Sequence, residues 1–350
     1  MREHLRLLPG LALSAALALL ATRLGTLGWL QAHGMSSLTV AIVLGILLGN
    51  TLYPYFAAGS GAGVVFSKQS LLRAGVILYG LRLTLHDVGQ VGVAGVLIDA
   101  LLLSSTFALA HFLGTRFFGL ERSTAMLIGA GNAICGAAAV MATEPLLRAR
   151  TEQVTVAIST VVVFGTVAIF VYPALYALNL HWQLVPAGTK AFGIYAGSTI
   201  HEVAQVFAAG RSISPETANT AVITKMVRVM MLAPFLIGLS GWLARDARAP
   251  AEASGPRKLT IPWFAFAFIG VVVVNSFALL PRTFVSSAID VDTFLLAMAM
   301  GALGLTTHLS AIRRAGMKPL MLGAILFAWL ICGGALINSL VAGWVHQGLP

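Results

Sequence analysis

Nine stretches of this chain are apolar over lengths that reach across a bilayer: residues 9–30, 37–55, 72–87, 90–114, 152–178, 218–243, 261–280, 290–309 and 318–345. Crossing roughly 30 Å of hydrocarbon takes about 20 helical residues. In lipid every backbone N–H and C=O must be satisfied inside the protein, and continuous apolar runs achieve that as helix. The expected fold is all-α: a polytopic membrane helix bundle of about 9–11 membrane segments. Of the 350 residues 58% are hydrophobic and only 10% charged. A soluble domain carries about 25% charged residues, so no soluble core could enclose this much apolar surface. One integral membrane domain is expected over 1–350, with the hydrophilic stretch 244–258 as a cytoplasmic loop. The start, Met1 to Arg6 followed by an apolar run, has the look of a signal peptide and is read as an uncleaved first span.

Two further segments, 122–147 and 192–211, are apolar but broken by glycine and small polar residues. The first break lies in Gly129–Gly136 (GAGNAICG), the second in Tyr195–Glu202 (YAGSTIHE). Asn132 and Ser198 or Thr199 are N-cap types, and Thr199 to Glu202 has capping-box spacing, so a second half-helix is expected to start at each. A helix that begins inside a membrane points free N–H groups and the positive end of its dipole at whatever lies there. Such breaks are tolerated only against protein or a cavity, and an N-terminal helix end favours an anion. Gly131, Asn132, Cys135, Gly136, Ser198 and Thr199 are therefore the expected substrate-binding backbone.

Loop cations orient the chain. Arg2 and Arg6, Lys68 and Arg73, Arg116 and Arg122, Arg245 to Lys258, and Arg313 to Lys318 fall on one side, read as cytoplasmic together with the N-terminus. The net charge of +10 follows from these loops and is not read as a nucleic-acid surface. Arg148 and Arg150 join the cytoplasmic side only if 122–147 re-enters from there, in which case 192–211 re-enters from outside. If both segments cross fully, those arginines lie outside and Lys190 inside. Both arrangements remain open. Residues 128–142 align with 194–208, and 80–92 with 304–316, which points to inverted repeats.

Ionisable groups in lipid cost about 2.5–3.5 kcal/mol each, so each asks for a reason. Asp99, in VLIDALLL, is a coupling or gating candidate, or else a packing carboxylate paired with Arg82 or a neighbouring helix. His201 and Glu202 are coupling candidates too, although Glu202 could simply close a capping box. A zinc hydrolase would need a second histidine where this chain has Gln205, so an enzyme is not expected. Cys135 and Cys332 imply neither a disulfide nor a metal site, and no cofactor is expected. Lys225 and Arg228 share one helical face. They either attract an anion or neutralise Glu202 and Glu144. Asn275, Thr306, Thr307 and His308 are weaker candidates for polar lining.

The segments LIGAGNAICGAAAVMATEP (127–145), GSTIHEVAQVFAAG (197–210), KMVRVMMLAP (225–234) and TFLLAMAMGALGLTTH (293–308) resemble a bacterial inner-membrane family known as sulfate exporters or conserved hypothetical membrane proteins. The resemblance runs over essentially the whole chain. It implies a multi-pass transporter of the cytoplasmic membrane with sulfate as substrate. It also implies a distant likeness to sodium/proton antiporters and bile-acid symporters, with inverted repeats and two broken helices.

The expected function is export of sulfate or a similar small oxyanion by alternating access. The expected partners are that small inorganic or organic anion and the lipid bilayer; homo-oligomerisation is left open. A dianion leaving a cell that is negative inside gains about 4.6 kcal/mol per 100 mV, from roughly 2.3 per charge, so export could run uncoupled. The alternative is proton- or sodium-coupled transport of another small solute through Asp99, His201 or Glu202.

Overall fold

A computed structural model describes residues 2–27, 36–183, 185, 188–245, 263–307 and 316–348. Among these residues six helices are long and apolar enough to cross a membrane. The chain runs through α1 (Arg2–Leu24), α2 (Ser37–Asn50), a 3-10 turn (Tyr53–Tyr55), α3 (Ala57–Phe66), a π turn (Ser67–Leu71), α4 (Leu72–Tyr79), a 3-10 turn (Gly80–Arg82) and α5 (Leu85–Arg116). Then come α6 (Arg122–Ala133), α7 (Ala137–Leu147), α8 (Thr151–Trp182), α9 (Thr189–Thr199) and α10 (Val203–Ile213). The last helices are α11 (Pro215–Met230), α12 (Leu232–Arg245), α13 (Trp263–Ser276), α14 (Arg282–Leu305) and α15 (Met317–Gly348). The all-α multi-pass bundle expected from the apolar runs is what the chain forms. Residues 246–258 of the stretch 244–258, His308 and the loop arginines 313–314 lie outside the described residues, as does part of the internal match at 304–316.

Local chemistry sets several boundaries. Ser214 caps α11 through its side chain, accepting from the Thr217 amide at 3.0 Å, with Pro215 as the first helical residue. Pro234 cannot donate a backbone hydrogen bond, and the span Pro215–Arg245 carries a one-residue irregularity at Met231, between α11 and α12, three residues before it.

The helices form two packs. In the first, α14 lies on α2 and α4, and α1 on α2, α3 and α14, with α13 against α4. This panel is tight because glycines let backbones meet: a Cβ on Gly45 would stand 2.4 Å from the Gly301 carbonyl oxygen. The ion pair of Arg82 with Asp292, at 2.9 Å, ties the outer end of α4 to α14. The second pack holds α5 to α12 and α15, and few contacts join it to the panel.

Candidate functional site

Residues 122–147 and 189–213 are hairpins that leave the membrane on the side where they entered. Glu121, before α6, pairs with Arg150, after α7, at 2.5 Å, and Gln153 donates to the other Glu121 oxygen at 2.6 Å. At the second hairpin Thr189 and Lys190 at the start of α9 meet Glu216 at the start of α11, and Thr217 donates to the Thr189 carbonyl at 3.2 Å. The 32-residue helix α8 separates the two, so they enter from opposite sides. This places Arg148 and Arg150 with the other loop cations and removes the fully crossing arrangement. The 12 residues of α6 rise about 18 Å, a little over half the hydrocarbon thickness, which sets the tips near its middle.

The tips are Ile134–Gly136 and Ile200–Glu202, three to four residues beyond the positions that capping preference marked. Asn132 belongs to the last turn of α6, where its Nδ2 donates to the Ile128 carbonyl at 2.7 Å. Ser198 and Thr199 belong to α9, and both hydroxyls donate to the Tyr195 carbonyl, at 3.0 and 2.5 Å. None of these three caps the second half-helix. Gly136 precedes α7 with φ +73°, a conformation side chains resist, and Glu202 precedes α10. The amide of Glu202 donates to Gln205 Oε1 at 3.0 Å, so the box falls on 202–205 rather than 199–202.

The tips bond to each other. His201 Nε2 and Asn132 Oδ1 are 2.8 Å apart. Because Asn132 Nδ2 is engaged with a carbonyl, its Oδ1 is the acceptor and the histidine donates from Nε2. Lys225 Nζ donates to the Ile134 carbonyl at 2.7 Å and the Ile200 carbonyl at 2.6 Å, one on each hairpin. Arg228 Nε donates to the Ala133 carbonyl at 2.7 Å. Both cations are fully buried and line neither cavity described below. Their expected partners were an anion or the carboxylates Glu202 and Glu144. The structure gives them instead the carbonyl ends of α6 and α9, where the helix dipoles are negative.

Asp99 is fully buried on α5, within electrostatic range of Arg228 and Lys225, and neither of its oxygens has a hydrogen-bond partner among the described residues. The expected partner Arg82 pairs with Asp292 instead. The weaker candidates serve the scaffold: Asn275 donates to the Leu83 carbonyl at 2.9 Å, and Thr306 and Thr307 bond carbonyls of their own helix.

Two cavities lie along the seam between panel and hairpins. One, of about 340 Å³, is bounded by Lys68, Arg73 and Phe264 from the panel and by Cys135, Ala137, Ala138, Glu202, Val203 and Ala204 from both tips. By the loop charges it lies on the cytoplasmic side. Its wall includes the first residues of α7 and of α10. The other, of about 560 Å³, is lined by Tyr79, Arg82, Phe207, Arg211 and Asn219 on the outer side and reaches neither tip. In the wall of this outer cavity, one helical turn from Val76 and Ala204 of the first, Tyr79 stacks edge-on against Phe207 with centroids 4.8 Å apart and donates to Asn219 Oδ1 at 2.6 Å. Sequence reading used Lys68 and Arg73 only as orientation markers and passed over Tyr79 and Asn219. Arg73 and Tyr79 stand out as polar residues in apolar runs, whereas Lys68 and Asn219 lie in the polar stretches SKQS and ETANT.

The family model of conserved hypothetical protein 698 matches residues 9–323. A UPF0324 membrane protein of Pseudomonas aeruginosa is 65% identical over 335 residues, covering 96% of this chain and 94% of that protein. The UPF0324 inner membrane protein YeiH of Escherichia coli K12 is 56% identical over 335 residues, 95% of this chain and 94% of that protein. A UPF0324 membrane protein of Yersinia pestis is 56% identical over 337 residues, 96% and 93% of the two chains. No solved structure matches.

Proposed function

The chain belongs to the conserved hypothetical protein 698 family of multi-pass inner-membrane proteins, and we propose that it is a transporter moving a small oxyanion such as sulfate by alternating access. The observation that carries this reading is one cavity walled by two helix N-termini from opposite hairpins, with Lys68 and Arg73 on its panel side. The first amides of a helix have no intrahelical acceptor, and four such residues, Ala137, Ala138, Val203 and Ala204, meet there. Lysine and arginine in the wall raise the local concentration of an arriving anion. Lys225 acts at one remove, holding the two tips in register so that their amide ends converge, and Arg228 braces the first tip through the Ala133 carbonyl. Alternating access is supported by the two cavities, which lie along one seam, with the Tyr79–Phe207 contact of the outer one a helical turn from Val76 and Ala204 of the other.

A second reading, cation-coupled transport of another solute, is favoured by Glu202 alone, since a carboxylate in the cavity wall would attract a cation. Labelled sulfate movement in proteoliposomes decides between them. Oxyanion transport predicts sulfate efflux that rises when the trapped side is made negative. A flux absent for sulfate but present for a cationic or neutral solute under a sodium gradient would replace the first reading with the second.

A further inference from the structure

We propose that Glu202 is a tethered competitor for the oxyanion, lifted from the amide crown by a proton, so that each oxyanion crosses together with one proton. This rests on the oxyanion reading above and adds the coupling ion and the residue that carries it.

Glu202 caps α10, yet its carboxylate reaches across 65 positions to the other hairpin, where Oε1 accepts from the amide of Ala137, the first residue of α7, at 3.3 Å. The chain makes room for it. A Cβ on Gly136 would stand 2.4 Å from Glu202 Cγ and 2.7 Å from Oε1. The carboxylate is half-buried and forms part of the cytoplasmic-side cavity wall. One of the amides that would receive an oxyanion, that of Ala137, is thus taken by an anion of the protein's own. At 3.3 Å the contact lies just beyond the range of about 2.7–3.2 Å usual for an N–H···O bond, so this one bond is weak.

Two anions cannot share that crown without repelling each other. A proton from cavity water, bonding to a carboxylate oxygen of Glu202, removes its charge and weakens its hold on the Ala137 N–H. The oxyanion then binds with the freed amide among its donors. On the far side the anion departs, the proton returns to water and the carboxylate falls back on Ala137. For sulfate the net movement is one negative charge, which keeps export favourable in a cell negative inside. The charged and titratable groups around Glu202 are Cys135 on the first tip, Lys225 on α11, and Lys68 and Arg73 on the panel. The cavity faces of α8, α13 and α14 are apolar, through Ile158, Phe264 and Leu303. No carboxylate other than Glu202 lines this cavity among the described residues.

The test is sulfate binding to the purified full-length protein by calorimetry in buffers of different ionisation enthalpy, which counts protons. The wild type should take up close to one proton per sulfate, with affinity falling about tenfold per pH unit once Glu202 is ionised. Glu202→Gln should bind sulfate without proton uptake and with affinity flat across pH, while Asp99→Asn should keep the wild-type proton count. Should Glu202→Gln not purify folded, Glu202→Asp, too short to reach Ala137, should likewise lose most of the uptake. Wild-type binding without proton uptake, or uptake that survives at residue 202 variants, overturns the coupling role and leaves the transport reading in place. Absence of sulfate binding at every pH overturns both.

Discussion

His201 and Asn132 stand 69 positions apart in the chain, on hairpins that enter from opposite sides, and their side chains meet at 2.8 Å in a fully buried contact. Removing one partner leaves a buried donor with nothing to bond, which costs about 1–3 kcal/mol. Asn132→Leu should therefore lower the thermal midpoint of the detergent-solubilised protein, and Asn132→Leu with His201→Leu should recover part of the loss. A pair of losses that simply add would show that the contact does not stabilise the tips.

Lys225→Met deprives two carbonyls, Ile134 and Ile200, of their common donor. The expected destabilisation is roughly 2 kcal/mol or more. Because the ammonium touches backbone rather than the cavity, only its through-space charge acts on the site, and the variant should weaken divalent and monovalent oxyanions to within about tenfold of each other. A selective loss of the dianion larger than that in calorimetric titrations would restore Lys225 as a direct ligand.

Arg82 reaches Asp292 through Nε at 3.0 Å and Nη2 at 2.9 Å, and Asp292 is fully buried. Arg82→Met strands that carboxylate and should cost about 3 kcal/mol. Adding Asp292→Leu should return most of it. Thermal unfolding of the single and double variants checks this; no recovery in the double variant would mean that the arginine matters for its bonds to Thr293 and the Ile289 carbonyl instead.

Cys135 lines the cytoplasmic-side cavity, whereas Cys332 is exposed elsewhere on α15. With Cys332 replaced by serine, a membrane-impermeant maleimide should label Cys135 in inside-out vesicles and spare it in right-side-out ones. Tyr79→Phe removes the 2.6 Å bond to Asn219 between panel and hairpin pack. Labelling from outside should then rise about fivefold, the shift that roughly 1 kcal/mol of lost hydrogen bond gives. Unchanged external labelling in both Tyr79→Phe and Asn219→Ala would remove this bond as the outer latch.

The apolar runs made the all-α membrane bundle legible, because length and hydropathy act locally. The breaks were legible too, though not their positions. Capping preference pointed to Asn132, Ser198 and Thr199, yet each bonds a carbonyl of its own helix, and the turns fall at Gly136 and Glu202, where the opposite hairpin presses. The choice between re-entry and crossing rested on Glu121 finding Arg150, 29 positions away, which no local pattern encodes. For the same reason Lys225 and Arg228 read as cations facing an open chamber. Charge in an apolar run is visible in a sequence; two carbonyl ends arriving from distant segments are not.

A single ammonium group bonded to both tips has a kinematic consequence. Neither hairpin can swing open as an independent flap without tearing one of the two Lys225 bonds inside a dry interior. In the transport cycle proposed above the two hairpins therefore move as one body, against the glycine-packed panel and along the boundary where few contacts join the two packs.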